Sequence, residues 1–179
     1  ILRTFSQEYQ MGDEFGKLAI QLSEKLNDTT QKCRAVLIAA DYLNHWRMPI
    51  ESGVPLARQA FRYGLESGEL QIAGYTFNVI LRTLTIKGEE LRSLYQQVEN
   101  AQQFANKTQN IYLRDLCTIW QQFIRNLQGR THNTRTFNDH SFVEQQFVDG
   151  GVKESATGAN FCILKLQTLY LYEHYVDAL

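Results

Sequence analysis

The sequence predicts an all-α fold of antiparallel helix pairs stacked one on the next. Three observations carry that expectation. Proline occurs twice in 179 residues, where ordinary usage is about 5%. That scarcity excludes Pro-rich linkers and turn-dense β designs and favours long uninterrupted helices. Apolar residues recur at steps of three and four along most of the chain, and no window sustains period-two alternation. The helices also alternate in character. Some are apolar on two sides with small residues at mid-helix and others on one side only, as neighbours in a stacked array require. Helix is expected for roughly two-thirds or more of the residues.

The elements follow in order. Gly12 and Asp13 read as a helix stop and a new N-cap, after which Leu18, Leu22 and Leu26 keep helical spacing. Residues Asn27 to Thr30 break that helix, and Thr29 or Thr30 is placed to cap the next. There Cys33, Val36, Ala40 and Leu43 form one apolar stripe and Ala35, Ala39 and Tyr42 a second. Small residues at 35, 39 and 40 let another helix approach closely. Met48, preceding Pro49, is pushed out of the α region and ends this helix. The next runs to Glu66. If it starts at Ser52, Pro55 is tolerated in its first turn; if it starts at Pro49, Pro55 kinks it. Ser67 and Gly68 stop it. Helices then cover Leu70–Ile86 and Glu89–Ala105, with Gly88 between. The strongest periodicity lies in Asn110–Gln128, where Leu113, Leu116, Trp120, Phe123 and Leu127 step by 3, 4, 3, 4. Gly129 to Asn138 is the least structured stretch by composition. A short helix near Ser141–Val148 is broken at Asp149-Gly150-Gly151, and a last helix is expected over Asn160–Leu179.

Composition excludes several classes. Lys and Arg total 18 against 19 Asp and Glu, a net charge of −1, which argues against a strongly basic nucleic-acid binder. Hydrophobic residues are 44% and charged residues 21%, an ordinary globular mix rather than a disordered one. No apolar stretch is long enough to span a bilayer, and no secretory signal is visible. The length suits a single helical domain over 1–179. The chain opens at Ile1 and stops at Leu179 within periodic segments, so it is expected to be a piece of a longer polypeptide. Cys33, Cys117 and Cys162 are odd in number, far apart and set among apolar neighbours. They read as reduced, buried thiols of a cytoplasmic protein, without the local signature of a catalytic cysteine.

A repeat is visible. The spacing of a large residue, an apolar and a small residue, then a large one occurs three times. It appears as Val36-x2-Ala39-Ala40-x2-Leu43, as Leu70-x2-Ala73-Gly74-x2-Phe77 and as Leu113-x2-Leu116-Cys117-x2-Trp120, the small residues lying 34 and then 43 positions apart. This resembles the first helix of tetratricopeptide repeats, whose period is 34. Ala57-x3-Phe61 with Gly64 resembles the second. The second spacing is nine residues too long and the motif's terminal proline is missing, with Glu69 near that point. The resemblance therefore implies degenerate repeats over about residues 30–128, coiled as a right-handed superhelix. A helical bundle without a true repeat is the alternative.

A closer likeness lies in Tyr42-Leu43-Asn44-His45-Trp46-Arg47-x-Pro49-Ile50 and in Gly64-Leu65-Glu66-Ser67-Gly68-Glu69-Leu70-x2-Ala73-Gly74-Tyr75. These strings resemble the helical region of very large bacterial signalling proteins. Those proteins join a serine/threonine kinase domain, a signal-transduction ATPase, a tetratricopeptide-like region, a sensory domain and a histidine kinase. The resemblance implies a non-catalytic connector or sensor region.

Catalytic constellations are correspondingly thin. The phosphate-binding pattern G-x4-G-K-[ST] is absent, and Asp149–Ser155 reads as a loop. No kinase catalytic loop or D-F-G string occurs. His45, His132, His140 and His174 lack zinc-ligand spacing, so no metal or cofactor is expected. Asp41 and His45, four apart, read as a structural hydrogen-bonded pair rather than an acid–base dyad. Glu89 and Glu90 charge a helix start.

Binding remains. Carried over position by position, the tetratricopeptide groove takes Arg34, Asp41, Asn44 and His45 from its first inner helix. The second inner helix gives Gln71, Tyr75, Asn78 and Arg82, and the third gives Arg114, Thr118 and Gln121. By spacing alone, 71, 75, 78 and 82 share a stripe, as do 114, 118 and 121; a solvated face explains the same pattern. The mixed charge suits a peptide or neighbouring domain rather than a polyanion, and neither nucleic acid nor membrane is expected as a partner. Exposed terminal helices offer a route to a homodimer. The alternative is a small-molecule sensor with its ligand on the concave face or near Trp46 and Trp120. A standalone helical enzyme is the remaining option.

Overall fold

The computed structural model describes residues 9–152 and 155–178, and every regular element among them is helical. The chain divides into two compact units, Ile1–Glu90 and Leu91–Leu179.

In the first unit α1 spans Tyr9–Lys25 and α2 Thr29–Ile38. The α2 backbone then widens into a π-helical turn, Ala39–Leu43, and tightens into a 3₁₀ turn, Asn44–Trp46. A second 3₁₀ turn, Ile50–Ser52, leads into α3, Gly53–Ser67, and α4 covers Leu70–Lys87. Gly68 and Gly88, at φ +77° and +83°, end α3 and α4 in the left-handed conformation that favours glycine.

Contacts fix the helix directions. Cys33 Sγ, early in α2, donates to the carbonyl of Ala60, midway along α3. A Cβ on Gly53, at the start of α3, would meet the carbonyl of Ala40 at 3.3 Å. Helices α2 and α3 are therefore antiparallel. The ring pair Phe61–Phe77, with centroids 5.3 Å apart, and the approach of Gly64 to Ala73 set α3 antiparallel to α4. The ion pairs Arg34–Glu69 and Arg82–Asp41 join like ends of α2 and α4, which run parallel with α3 between them. The core of the stack is Ala40, Ala57, Val79 and Ile80, with Leu37, Leu56 and Leu84 packed against it. Its closest approach is at Gly64, where an added Cβ would lie 3.0 Å from the Ala73 Cβ and 3.2 Å from the Ala73 nitrogen. Small residues at that crossing let α3 and α4 touch backbone to backbone.

In the second unit α5 spans Leu91–Thr108 and α6 Ile111–Leu127. Asn110 caps α6 by accepting from the Leu113 amide at 3.0 Å. The α6 stripe Leu113, Leu116, Trp120 and Phe123 is at most 2% exposed. A non-helical strap of residues 128–143 leads to a single turn, α7, Glu144–Phe147. A second π turn, Val148–Val152, follows, and α8 covers Ala156–Leu171. Tyr172, just past α8, donates its hydroxyl to the Asn126 carbonyl near the end of α6 at 3.1 Å, so those two helices run parallel.

Several sequence expectations are corrected. Helix α1 runs through Gly12 and Asp13, because Gly12 packs against Leu43 rather than breaking the helix. Asp28, not Thr29 or Thr30, caps α2 by accepting from the Gln31 amide at 2.9 Å. Pro55 lies in the first turn of α3, which follows Ser52. Helix α8 starts at Ala156 and stops at Leu171, where Glu173 at φ +61° turns the chain and His174 N–H bonds back to the Leu169 carbonyl. Asp149 and Gly150 lie within the second π turn rather than a plain break. The periodic opening at residues 1–5 and part of the 149–155 loop lie outside the described residues. No described helix is long and apolar enough to cross a membrane.

Candidate functional site

The residues of interest in the first unit gather where α2 loses its regular geometry. A π turn inserts one residue into the helical register and often marks a functional site. Within and just after it, Leu43 packs toward Gly12 and Gly16 of α1, while Asp41 pairs with Arg82 of α4 and His45 lines a cleft with both. Side chains then lock the corner. Asn44 Nδ2 donates to Ser52 Oγ at 2.7 Å, and that hydroxyl donates to the Pro49 carbonyl at 2.6 Å. The Asn44 carbonyl accepts from the amides of Arg47 and Met48. Trp46 stacks flat on Tyr9, ring centroids 4.4 Å apart, and lies 4.9 Å from the His45 ring.

Asp41, His45 and Arg82 come together on one side of this corner. With Tyr42, Ile50 and Ile86 they line a cleft of about 280 Å³. The Asp41 carboxylate accepts from the Arg82 guanidinium, 41 residues away, rather than from His45 as the i, i+4 spacing had suggested. His45 is held below its ordinary value of 6.5, first by burial and then by the Arg82 charge, which Asp41 opposes. The imidazole is therefore neutral at neutral pH and presents both a donor and an acceptor. Asn44 faces a second cleft, of about 380 Å³, on the other side of the π turn. Asp13, Lys17 and Ile20 of α1 line it with Leu43, Arg47, Met48 and Leu56.

The remaining residues of the expected groove are partly engaged with one another. Arg34 pairs with Glu69 at 2.9 Å. Gln71 Nε2 donates to the Tyr75 hydroxyl at 3.1 Å, and Asn78 is half-buried on the same face as Arg82. Arg114, Thr118 and Gln121 belong to the second unit, where Arg114 is exposed and the Thr118 hydroxyl donates to the Arg114 carbonyl. Trp120 is 2% exposed in the core of that unit, so it lines no accessible ligand site there, and Trp46 belongs to the other unit.

The second unit holds a polar network that sequence spacing does not show. Asp139 accepts from Arg125 at 2.8 Å and from the Ser141 and Phe142 amides. Burial would raise its pKa, but the Ser141 amide and hydroxyl and the Arg125 charge outweigh it and hold the carboxyl at about 2. Glu144 accepts from the Phe137 amide and the Thr136 hydroxyl and pairs with Lys165, whose ammonium also lies over the Phe137 ring. The amide of Asn126 holds the carbonyl of Thr136 at 2.9 Å. These bonds satisfy a strap that has no helix or sheet ladder of its own. Among the described residues, no group of three or more His, Cys, Asp or Glu is arranged to hold a metal ion.

Over 127 residues, 68% of its length, the chain is 28% identical to part of a signal-transduction kinase. That protein is hybrid signal transduction histidine kinase G of Dictyostelium discoideum, and the matched stretch is 4% of its length. No family model matches the chain, and no solved structure does.

Proposed function

We propose that this chain is a non-catalytic connector or sensor region of a multidomain signal-transduction kinase. In this reading it binds a peptide or a neighbouring domain of its own polypeptide. The likeness to the histidine kinase carries the proposal. The parallel placement of α2 and α4 supports the binding face, since it sets Asp41, His45 and Arg82 around one cleft. It also suits a degenerate tetratricopeptide-like superhelix, and the strings at Tyr42–Ile50 and Gly64–Tyr75 support, in this reading, a cytoplasmic parent of the bacterial serine/threonine and histidine kinase type. A second copy of the chain is a further partner in the same reading. Helix α1 exposes Phe15, Leu18 and Leu22, with Leu26 just past its end, and α8 exposes Ile163, Leu166 and Tyr170, two stripes at helical spacing.

The test is capture of the parent's neighbouring domains by this chain, with Arg82→Glu and Asp41→Lys, both at the first-unit cleft, as the paired variants. Capture that each reversal weakens supports the groove. Capture that survives both changes removes the groove assignment, and stabilisation by metabolites without domain capture removes the leading reading. The 380 Å³ cleft favours the second reading, a small-molecule sensor, because binding sites of that kind occupy roughly 300–1,000 Å³.

A further inference from the structure

We infer that the cleft between α1 and the π turn binds a small amphiphilic carboxylate, with its apolar body on Ile20, Leu43 and Leu56 and its anionic head on Arg47. The inference rests on the second reading above and names the ligand class for it.

The apolar part of the cleft is built by close packing. Gly16 faces Leu43 so closely that an added Cβ would come within 2.7 Å of its Cδ1. Helix α1 thus rides low on the π turn, and Leu43, Leu56 and Ile20 together line the cleft's apolar walls. Met48 adds an adaptable thioether at the rim. The polar part carries an unbalanced charge. Lys17 is already engaged by Asp13, at 2.7 Å and one helical turn away. Arg47 is exposed, and among the described residues its guanidinium has neither an ion-pair nor a hydrogen-bond partner. Of the three charges lining the cleft, two cancel and one cation remains.

An apolar cavity with one uncompensated guanidinium at its edge selects an apolar molecule with one anionic head. The planar fork of Arg matches a carboxylate through two parallel hydrogen bonds. The Asn44 carboxamide beside it is held in place through Ser52, so the polar edge is preorganised. The position also links binding to the fold, since the ligand would bridge α1 to the irregular corner that sets Asp41 and His45.

The test is calorimetric titration of the full chain with octanoate and with 3-phenylpropionate, using octanamide and 3-phenylpropionamide as uncharged controls. Amide-proton NMR shifts locate the site. The expected result is saturable one-to-one binding of the carboxylates, with shifts centred on Lys17–Ile20 and Leu43–Met48. Loss of a charge-assisted contact weakens binding by about tenfold or more, so the amides should bind that much more weakly. Arg47→Gln, a surface change, should erase the preference for the acid, and Ala39→Phe, which fills the cleft, should abolish binding of both forms. Equal affinity for acid and amide, unchanged binding in Arg47→Gln, or shifts centred on Asp41 and Arg82 would overturn the inference. Occupancy of this cleft by an acidic peptide but by none of the carboxylates would overturn it too. If the carboxylates fail while other metabolites stabilise the chain, this inference falls and the sensor reading stands. If no small molecule binds, both fall.

Discussion

Neutralising Asp41 or Arg82 should leave the helices stacked yet change how His45 titrates. The pair bridges α2 and α4, and its side chains are 18% and 44% exposed respectively. An ion pair with that access to water contributes about 0.2–1 kcal/mol. Each partner keeps solvent contact when left alone, so neither deletion strands a buried charge at a cost of several kcal/mol. A double-mutant cycle on Asp41→Asn and Arg82→Gln, read by urea unfolding, should return a coupling within about 0.2–1 kcal/mol. His45 supplies a second readout. Burial and Arg82 hold it below 6.5 and Asp41 opposes them. Arg82→Gln should therefore raise its pKa and Asp41→Asn lower it, as NMR titration of the imidazole would record. The folded imidazole takes up its proton at lower pH than the unfolded chain does. Its contribution to stability is therefore whole above 6.5 and is lost as pH falls through the folded value. Arg82→Gln should soften that loss. A coupling above about 2 kcal/mol, or a His45 titration that neither variant moves, would refute this account of the cleft.

Other outcomes follow from the same contacts. Phe137→Ala should destabilise the second unit by about 3–5 kcal/mol in denaturant unfolding, because the ring is fully buried against Phe161. His132→Ala in the same strap, an exposed position, should fall within about 0.5 kcal/mol of the parent chain. Asp139 shifts from an ordinary 3.8 to about 2 on folding, so it contributes about 2 kcal/mol above pH 3.8, lost as pH falls toward 2. Asp139→Asn should flatten that part of the stability–pH profile. A thiol reagent on the native chain should modify exposed Cys162 first, with Cys33 and Cys117, pushed by burial to about 11 and about 12, reacting only on unfolding.

The sequence was most legible where a helix buries one regular stripe. Leu113, Leu116, Trp120 and Phe123 could be assigned to the core from spacing alone, and they are, while Leu127 at the end of the same stripe is half-buried. It was least legible where tertiary partners decide the outcome. Gly12 carries the same letter whether it ends a helix or admits Leu43, and only the packed neighbour separates the two. Asp41 was matched to His45 because both sit on one helix, whereas its partner is Arg82 on α4, beyond the reach of any local rule. The strap around Phe137 looks polar and unstructured because its order comes from side-chain-to-backbone bonds, which leave no periodicity to read. The π turn has no signature in Ala39–Leu43 either, yet it sends Asn44 to one cleft and His45 to the other. Of the groove residues, Asp41, His45 and Arg82 line one cleft, although spacing alone placed them only on two separate helices. Lys17 and Arg47 were absent from the expected groove, because no repeat position points to them.

In the proposed reading, the polar face of α2 and α4 receives a neighbouring domain of a signalling kinase. Hydrogen exchange on this chain, with and without the domains adjoining it in its parent protein, tests that most directly. The account predicts slowed exchange confined, within the first unit, to Asp41–Trp46 and Gln71–Arg82. Protection elsewhere with those segments unchanged, or none at saturating partner, would contradict it.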